Sequence, residues 1–232
     1  MAANAMQTRR LVAESIAVVA SILLAFAIDA AWNDRQERSE ERALLTGLRQ
    51  EFVLNRANVE LQVGRIEVAM DRLRLYSALE QFTPGVLDAD SAFALLVQPV
   101  VRSYTSELSD GFLEATISSG KLALIDDVEL RALLAETSSR DQDVSEMRRV
   151  VMDLSVTGAT ALGRFSELSS LMDESDQFPE TWSASWRANS DPDVLAVVRA
   201  KRLYMVYYRN SLVSLGEHFD AIITSIDAAL GK

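Results

Sequence analysis

Residues 11–32 read LVAESIAVVASILLAFAIDAAW, from Leu11 to Trp32, and the reading of this stretch decides the fold. Its uncharged part, Ser15 to Ile28, lies between Glu14 and Asp29. At about 1.5 Å per residue those 14 residues measure only ~21 Å, whereas the 22 from Leu11 to Trp32 measure ~33 Å, against a hydrocarbon core of about 30 Å. A transmembrane helix over 11–32 therefore needs both acids near the interfaces. Trp32 then stands where an interfacial aromatic belongs, with Arg9 and Arg10 flanking the other end. A cleavable signal peptide would also show the arginine pair and a small-x-small site such as Ala25-Phe26-Ala27, but Glu14 intrudes on its apolar region. Thr8-Arg9-Arg10-Leu11 resembles a twin-arginine signal only in part, with no cofactor site downstream. A buried core helix is the remaining alternative. The expectation is a membrane span.

Working outward, residues 1–10 form a short N-terminal tail and 33–232 an extramembrane domain. From Gln36 to about Gln81, Leu45, Leu48, Phe52, Val59, Ile66, Ala69, Leu73 and Tyr76 recur at three- and four-residue spacing. Nothing interrupts this pattern before Thr83-Pro84-Gly85, so the membrane helix is expected to run straight into a long helix over 36–81. Asn55 and Gln62 fall on the apolar face and are read as partly exposed at a bundle edge. Two short helical pieces are expected within 86–122, around Pro99, with Asp110 as a cap and Gly120 as a terminator. Asp126 with Glu129 reads as a capping box that opens a second long helix over 127–171, through Gly158 and Gly163. Asp191-Pro192 opens a third over 192–230.

The predicted class is thus all-α: an N-terminal transmembrane helix continuous with a long antiparallel bundle. In the geometry this suggests, the short pair caps the distal tip, the second long helix returns towards the bilayer and the third leaves it. That would set the loop 172–190 level with Trp32, and with it Trp182 and Trp186, either as membrane-interface aromatics or as plugs of the bundle's end.

Composition narrows the function. With 4 Pro and 9 Gly in 232 residues there are few of the breaks a many-stranded fold needs. Arg9 and Arg10 balance Glu14 and Asp29, so the net charge of −11 rests on residues 33–232, and an acidic domain of this kind repels nucleic acid. Cysteine is absent and His218 is the only histidine, which removes thiol chemistry, a Ser-His-Asp arrangement built elsewhere and multi-histidine metal sites. No catalytic, cofactor-binding or metal residue is expected, and the chain is not expected to be an enzyme. His218 is read as a surface or bundle-edge residue, and Tyr204, Tyr207 and Tyr208 as a strip that is usually core.

Within the span, Ala17, Ser21 and Ala25 recur every four residues, with Glu14 and Asp29 at the two ends of nearly the same face. Small residues at this spacing let helices approach closely, and polar groups beside them prefer protein to lipid. Self-association in the membrane is one reading; the abundance of alanine is the other.

Ile22-Leu23-Leu24-Ala25-Phe26-Ala27-Ile28-Asp29-Ala30-Ala31-Trp32-Asn33-Asp34, with Glu14 upstream, resembles the start of a bacterial family of short single-span membrane proteins classed as a domain of unknown function. Leu113-Glu114-Ala115-Thr116-Ile117-Ser118-Ser119-Gly120-Lys121-Leu122, continuing through Leu124-Ile125 to Glu129-Leu130-Arg131, is similar to that family's helix, Ser-Ser-Gly turn and second helix. Asp191 to Leu230 looks like its last helix, whereas Ala30-Ala31 departs from its usual polar amides. The resemblance implies a membrane anchor and a helical domain, and no activity.

The expected function is a membrane-tethered helical interaction or scaffold module that self-associates. Its partners would be the lipid bilayer, a homo-oligomer and an unidentified protein, with no nucleic acid. A bacterial inner-membrane, single-pass location follows, with the domain outside the cytoplasm. The alternative is an extracytoplasmic small-ligand sensor acting through a partner.

Overall fold

The structure is a computed structural model that describes residues 2–78, 97–104, 108–164 and 191–231, with side chains over 21–75 in the first of these. Among them every regular element is helical and there is no strand. Helix α1 spans Ala2–Ala78, 77 residues or ~115 Å, and carries the segment 11–32 and the first bundle helix without a break. The short helices α2 (Gln98–Val101) and α3 (Gly111–Ser118) and a 3-10 turn (Lys121–Leu124) precede two long helices, α4 (Val128–Leu162) and α5 (Pro192–Leu230). The second long helix ends at Leu162, capped by Gly163; its expected extension to 171 reaches residues outside those described.

Helix directions follow from the cross-contacts. Arg49 meets Asp227 at 2.6 Å, Arg56 meets Asp220 at 2.9 Å and Arg209 meets Glu67 at 2.8 Å, so α1 and α5 are antiparallel. Between α4 and α5, Thr137 reaches His218 at 3.1 Å, Ser155 reaches Lys201 at 2.8 Å and Arg164 reaches Asp193 at 2.6 Å, again antiparallel. Helices α1 and α4 therefore run the same way.

The chain regains the lower end of the bundle by descending alongside α1. Arg72 bonds Gln98, Asn55 bonds Ser109, Glu51 bonds Leu113 and Glu41 bonds Asp126, a ladder in which one number falls as the other rises. This overturns the expected geometry. The short helices form a broken fourth arm of an up-down-up-down bundle instead of capping its distal tip. Arg164 and Asp191, the described residues on either side of the loop 172–190, lie at the far end of the bundle from Trp32, ~54 Å of α5 beyond the Arg49–Asp227 pair. Trp182 and Trp186 themselves lie outside the described residues.

Two caps differ from expectation. Helix α4 is capped by Asp127, whose carboxylate accepts from Glu129 and Leu130 N–H at 2.8 and 3.1 Å, whereas the backbone N–H of Asp126 is held by Glu41. Asp110 makes no side-chain cap to α3. Gly120, at φ +73, terminates that helix as expected, and Asp191 caps α5 through Asp193 and Val194 N–H. Leu45, Leu48, Phe52, Ile66 and Leu73 of α1, Leu130, Leu134 and Val151 of α4, and Met205, Tyr208, Leu212, Phe219 and Ile222 of α5 make one continuous core. Phe52 and Phe219 meet edge to face at 5.3 Å.

Candidate functional site

An arm broken into two short helices and a 3-10 turn exposes backbone polar groups inside a bundle, and each must find a partner. The long helices supply them. Glu51, 7% exposed, accepts the Leu113 N–H at 3.0 Å and so caps α3 from a neighbouring helix. Asn55 donates to Ser109 O at 2.6 Å and accepts from Ser109 N–H at 2.8 Å, clamping the backbone of one residue with both ends of its amide. Lys201, fully buried, donates to Val100 O at 2.8 Å, Arg102 O at 3.0 Å and Ser155 Oγ at 2.8 Å, and so closes the C-terminal end of α2. Burial pushes its ammonium down to about 7. Gly158 lets α2 come this close, because a Cβ there would lie 2.6 Å from Val100 Cγ1.

Asn55 and Gln62 are consequently buried, not edge residues, and His218 is buried as well. His218 Nε2 lies 3.1 Å from Leu133 O and 3.1 Å from Thr137 Oγ1. Since a carbonyl only accepts, Nε2 carries the proton towards Leu133. Burial first, then Arg140, lowers the His218 pKa below its ordinary value.

Between α1, α3 and α4 opens a cleft of about 750 Å³, with Glu51, Asp110, Asp141 and Arg148 among its polar lining and Phe52, Leu113, Ile117 and Phe219 among its apolar walls. Burial raises the pKa of Glu51, opposed by the Leu113 and Phe112 N–H groups, and raises that of Asp141, opposed by Arg148. Glu51 Oε1 is sealed from solvent and has no hydrogen-bond partner among the described residues. The same residues hold no group of three or more side chains able to bind a metal ion.

The tyrosine strip divides: Tyr208 is core, whereas Tyr204 and Tyr207 are partly exposed and meet edge to face at 6.2 Å. They border a second, shallower groove with Arg140, Asp143 and Ser214.

Every described side chain from 21 to 40 is exposed, and the bundle takes hold of α1 first at Glu41, which accepts the Asp126 N–H, and then at Leu44. Ile22, Leu23, Leu24, Phe26, Ile28 and Trp32 are 50–68% exposed. At 100° per residue these positions point in all directions around the helix. Residues 33–40 are polar, and the i,i+4 pairs Asp34–Arg38 and Gln36–Glu40 support them as a solvated stalk. Ser21, Ala25 and Asp29 sit exposed on α1, whereas the side chains of Glu14 and Ala17 lie outside those described. Among the described residues no helix is long and apolar enough to cross a membrane.

Sequence reading missed the polar clamps because Glu51, Asn55 and Lys201 look like any charged or amide residue in a helical pattern. The signal that could have found Asn55 was its place among apolar residues. Compared with known proteins, the chain matches no family model, no curated protein and no solved structure.

Proposed function

We propose that this chain is a single-pass protein of a bacterial inner membrane, whose helical bundle is an interaction or scaffold module held off the bilayer by the stalk. The observation that carries the reading is the belt of large apolar side chains over 22–32, exposed on every side of a helix that no other part of the described chain covers. A helix apolar all round belongs in an apolar surrounding. Burying six such side chains stabilises by roughly 1.5–3 kcal/mol each. With Leu11 to Ser21 added, the stretch is long enough for a bilayer, and Trp32 stands at its boundary with the polar stalk. Self-association, with the bundle outside the cytoplasm, completes the proposal.

The test uses the full chain with Ser139→Cys, an exposed site in a protein that has no other cysteine. The expected outcome is retention in the membrane pellet after alkaline carbonate washing, and labelling by an impermeant thiol reagent in intact cells. Release into the supernatant overturns the tether; labelling only after lysis overturns the orientation.

A sensor reading is favoured by one observation, the cleft lined by four acidic residues, Glu51, Asp110, Glu114 and Asp141, against one cation, Arg148. Its ligand would be a small organic cation with an apolar body. A rise in melting temperature with a series of alkyl and aryl amines would support it, and no shift across the series would remove it.

A further inference from the structure

Helix α1 carries two apolar stripes. One, through Phe52, Val59, Ile66 and Leu73, is the bundle core. The other, through Leu54, Leu61, Val68 and Leu75, repeats every seven residues and is 63, 55, 54 and 46% exposed. Between these positions lie Ala57, Gly64 and Asp71, three residues after Leu54, Leu61 and Val68, all exposed, and a Cβ at Gly64 would meet nothing within 4 Å. A seven-residue repeat of large apolar residues on an outer face, with small residues in its first two intervals and Asp71 in the third, is the pattern of a helix that pairs with another helix.

We infer that this stripe is the contact through which two copies of the chain zip together, parallel and in register, from Leu54 to Leu75. Three features select a second copy over another occupant. The first is charge. With the leucines at the a positions of the heptad, Glu60 and Glu67 occupy g while Arg65 and Arg72 occupy e, so parallel pairing sets Glu60 against Arg65 of the second copy and Glu67 against its Arg72. The Glu60 carboxylate is 78% exposed and Arg65 is exposed; Glu60, Glu67 and Arg72 would share their present partners, Arg56 at 3.7 Å, Arg209 and Gln98.

The second feature is continuity. On one unbroken helix at 100° per residue, the positions Glu14, Ala17, Ser21, Ala25 and Asp29 and the positions Leu54 to Leu75 centre within roughly 20° of the same azimuth. One two-fold axis along the helix therefore serves both faces. The third is length. Three heptads are short for a coiled coil in free solution, but two chains anchored in one membrane meet at a high effective concentration and in the parallel sense. The inference thus deepens the self-association proposed above, and rests on the tether for its orientation.

The test introduces single cysteines into the full chain, Leu54→Cys and Val68→Cys in separate variants, with the exposed Val156→Cys on α4 as the control, and oxidises isolated membranes. Positions 54 and 68 are ~21 Å apart along the helix, and a disulfide needs Cα atoms within about 7 Å. Only a parallel, in-register pair can therefore form homodimers at both. Homodimers at 54 and 68 and none at 156 are expected. Adding Glu60→Arg should lower the cross-linked fraction by roughly tenfold, and adding Arg65→Glu to that should restore it. Cross-linking at only one of the two positions, or insensitivity to Glu60→Arg, overturns the inference. So does a membrane-bound chain that cross-links through Ser21→Cys alone, which would confine association to the membrane helix and leave the tether standing. A chain found outside the membrane that still cross-links at 54 and 68 keeps the pairing and removes the tether.

Discussion

Lys201 offers the sharpest physical test of the bundle. Its ammonium is fully buried and its pKa lies at about 7, against 10.5 for an exposed lysine. Because the folded value is the lower one, the unfolded chain binds a proton between pH 7 and 10.5 that the folded chain has released, and stability rises with pH across that window. The destabilisation is largest below pH 7 and gone above 10.5. From pH 7, where the folded group is half protonated, to pH 9, the gain is about 2 kcal/mol at ~1.4 kcal/mol per unit. The neutral amine keeps two donors for Val100 O and Arg102 O, and the Ser155 hydroxyl can turn to donate to its lone pair. Lys201→Met removes the titration and leaves both carbonyls without their donor, at about 1–3 kcal/mol each. Urea unfolding of the detergent-solubilised full chain, followed by circular dichroism at pH 7 and pH 9, should show the cost of Lys201→Met growing by about 2 kcal/mol between the two. A cost that is the same at both would refute the assignment of that slope to Lys201.

Three further outcomes are expected. Gly158→Ala sets a Cβ 2.6 Å from Val100 Cγ1 and 3.1 Å from Val100 O, so strain of about 1–3 kcal/mol should outweigh the ~1 kcal/mol gained in helix propensity and lower the melting temperature. Asp127→Ala should cost about 1 kcal/mol in urea unfolding through loss of the α4 cap, whereas Asp126→Ala, which contributes only a backbone N–H, should be close to neutral; equal effects would contradict the cap. His218 has a lowered folded pKa, so the stability it contributes is lost as pH falls below its unfolded value near 6.5, and His218→Gln should flatten the acid limb of a stability-against-pH curve.

Local and periodic features were legible in the sequence. The alternating spacing from Leu45 to Leu73, the Asp191-Pro192 start and the Ser119-Gly120 stop depend on the residues within a few turns, and they predict the long helices and the all-helical class. Hydrophobic periodicity also marked one face of α1 as core. It said nothing about which way neighbouring helices run, because a stripe of leucines packs as well against an antiparallel helix as against a parallel one.

That was decided by contacts between residues distant in the chain. Helix α5 lies against both α1 and α4, so the segment 97–127 had to come back down beside α1, and its breaks had to be satisfied by Glu51, Asn55 and Lys201. The pairing partner of a buried polar group is set by tertiary approach, so spacing placed Asn55 on the apolar face without showing what it holds, and Glu51 and Lys201, which look solvated in the sequence, are buried clamps in the fold. The same holds for the second stripe of α1: its seven-residue repeat is written in the sequence, but only the packed bundle shows that Leu54, Leu61, Val68 and Leu75 face outward, because burial is a property of what surrounds a helix and not of the helix alone.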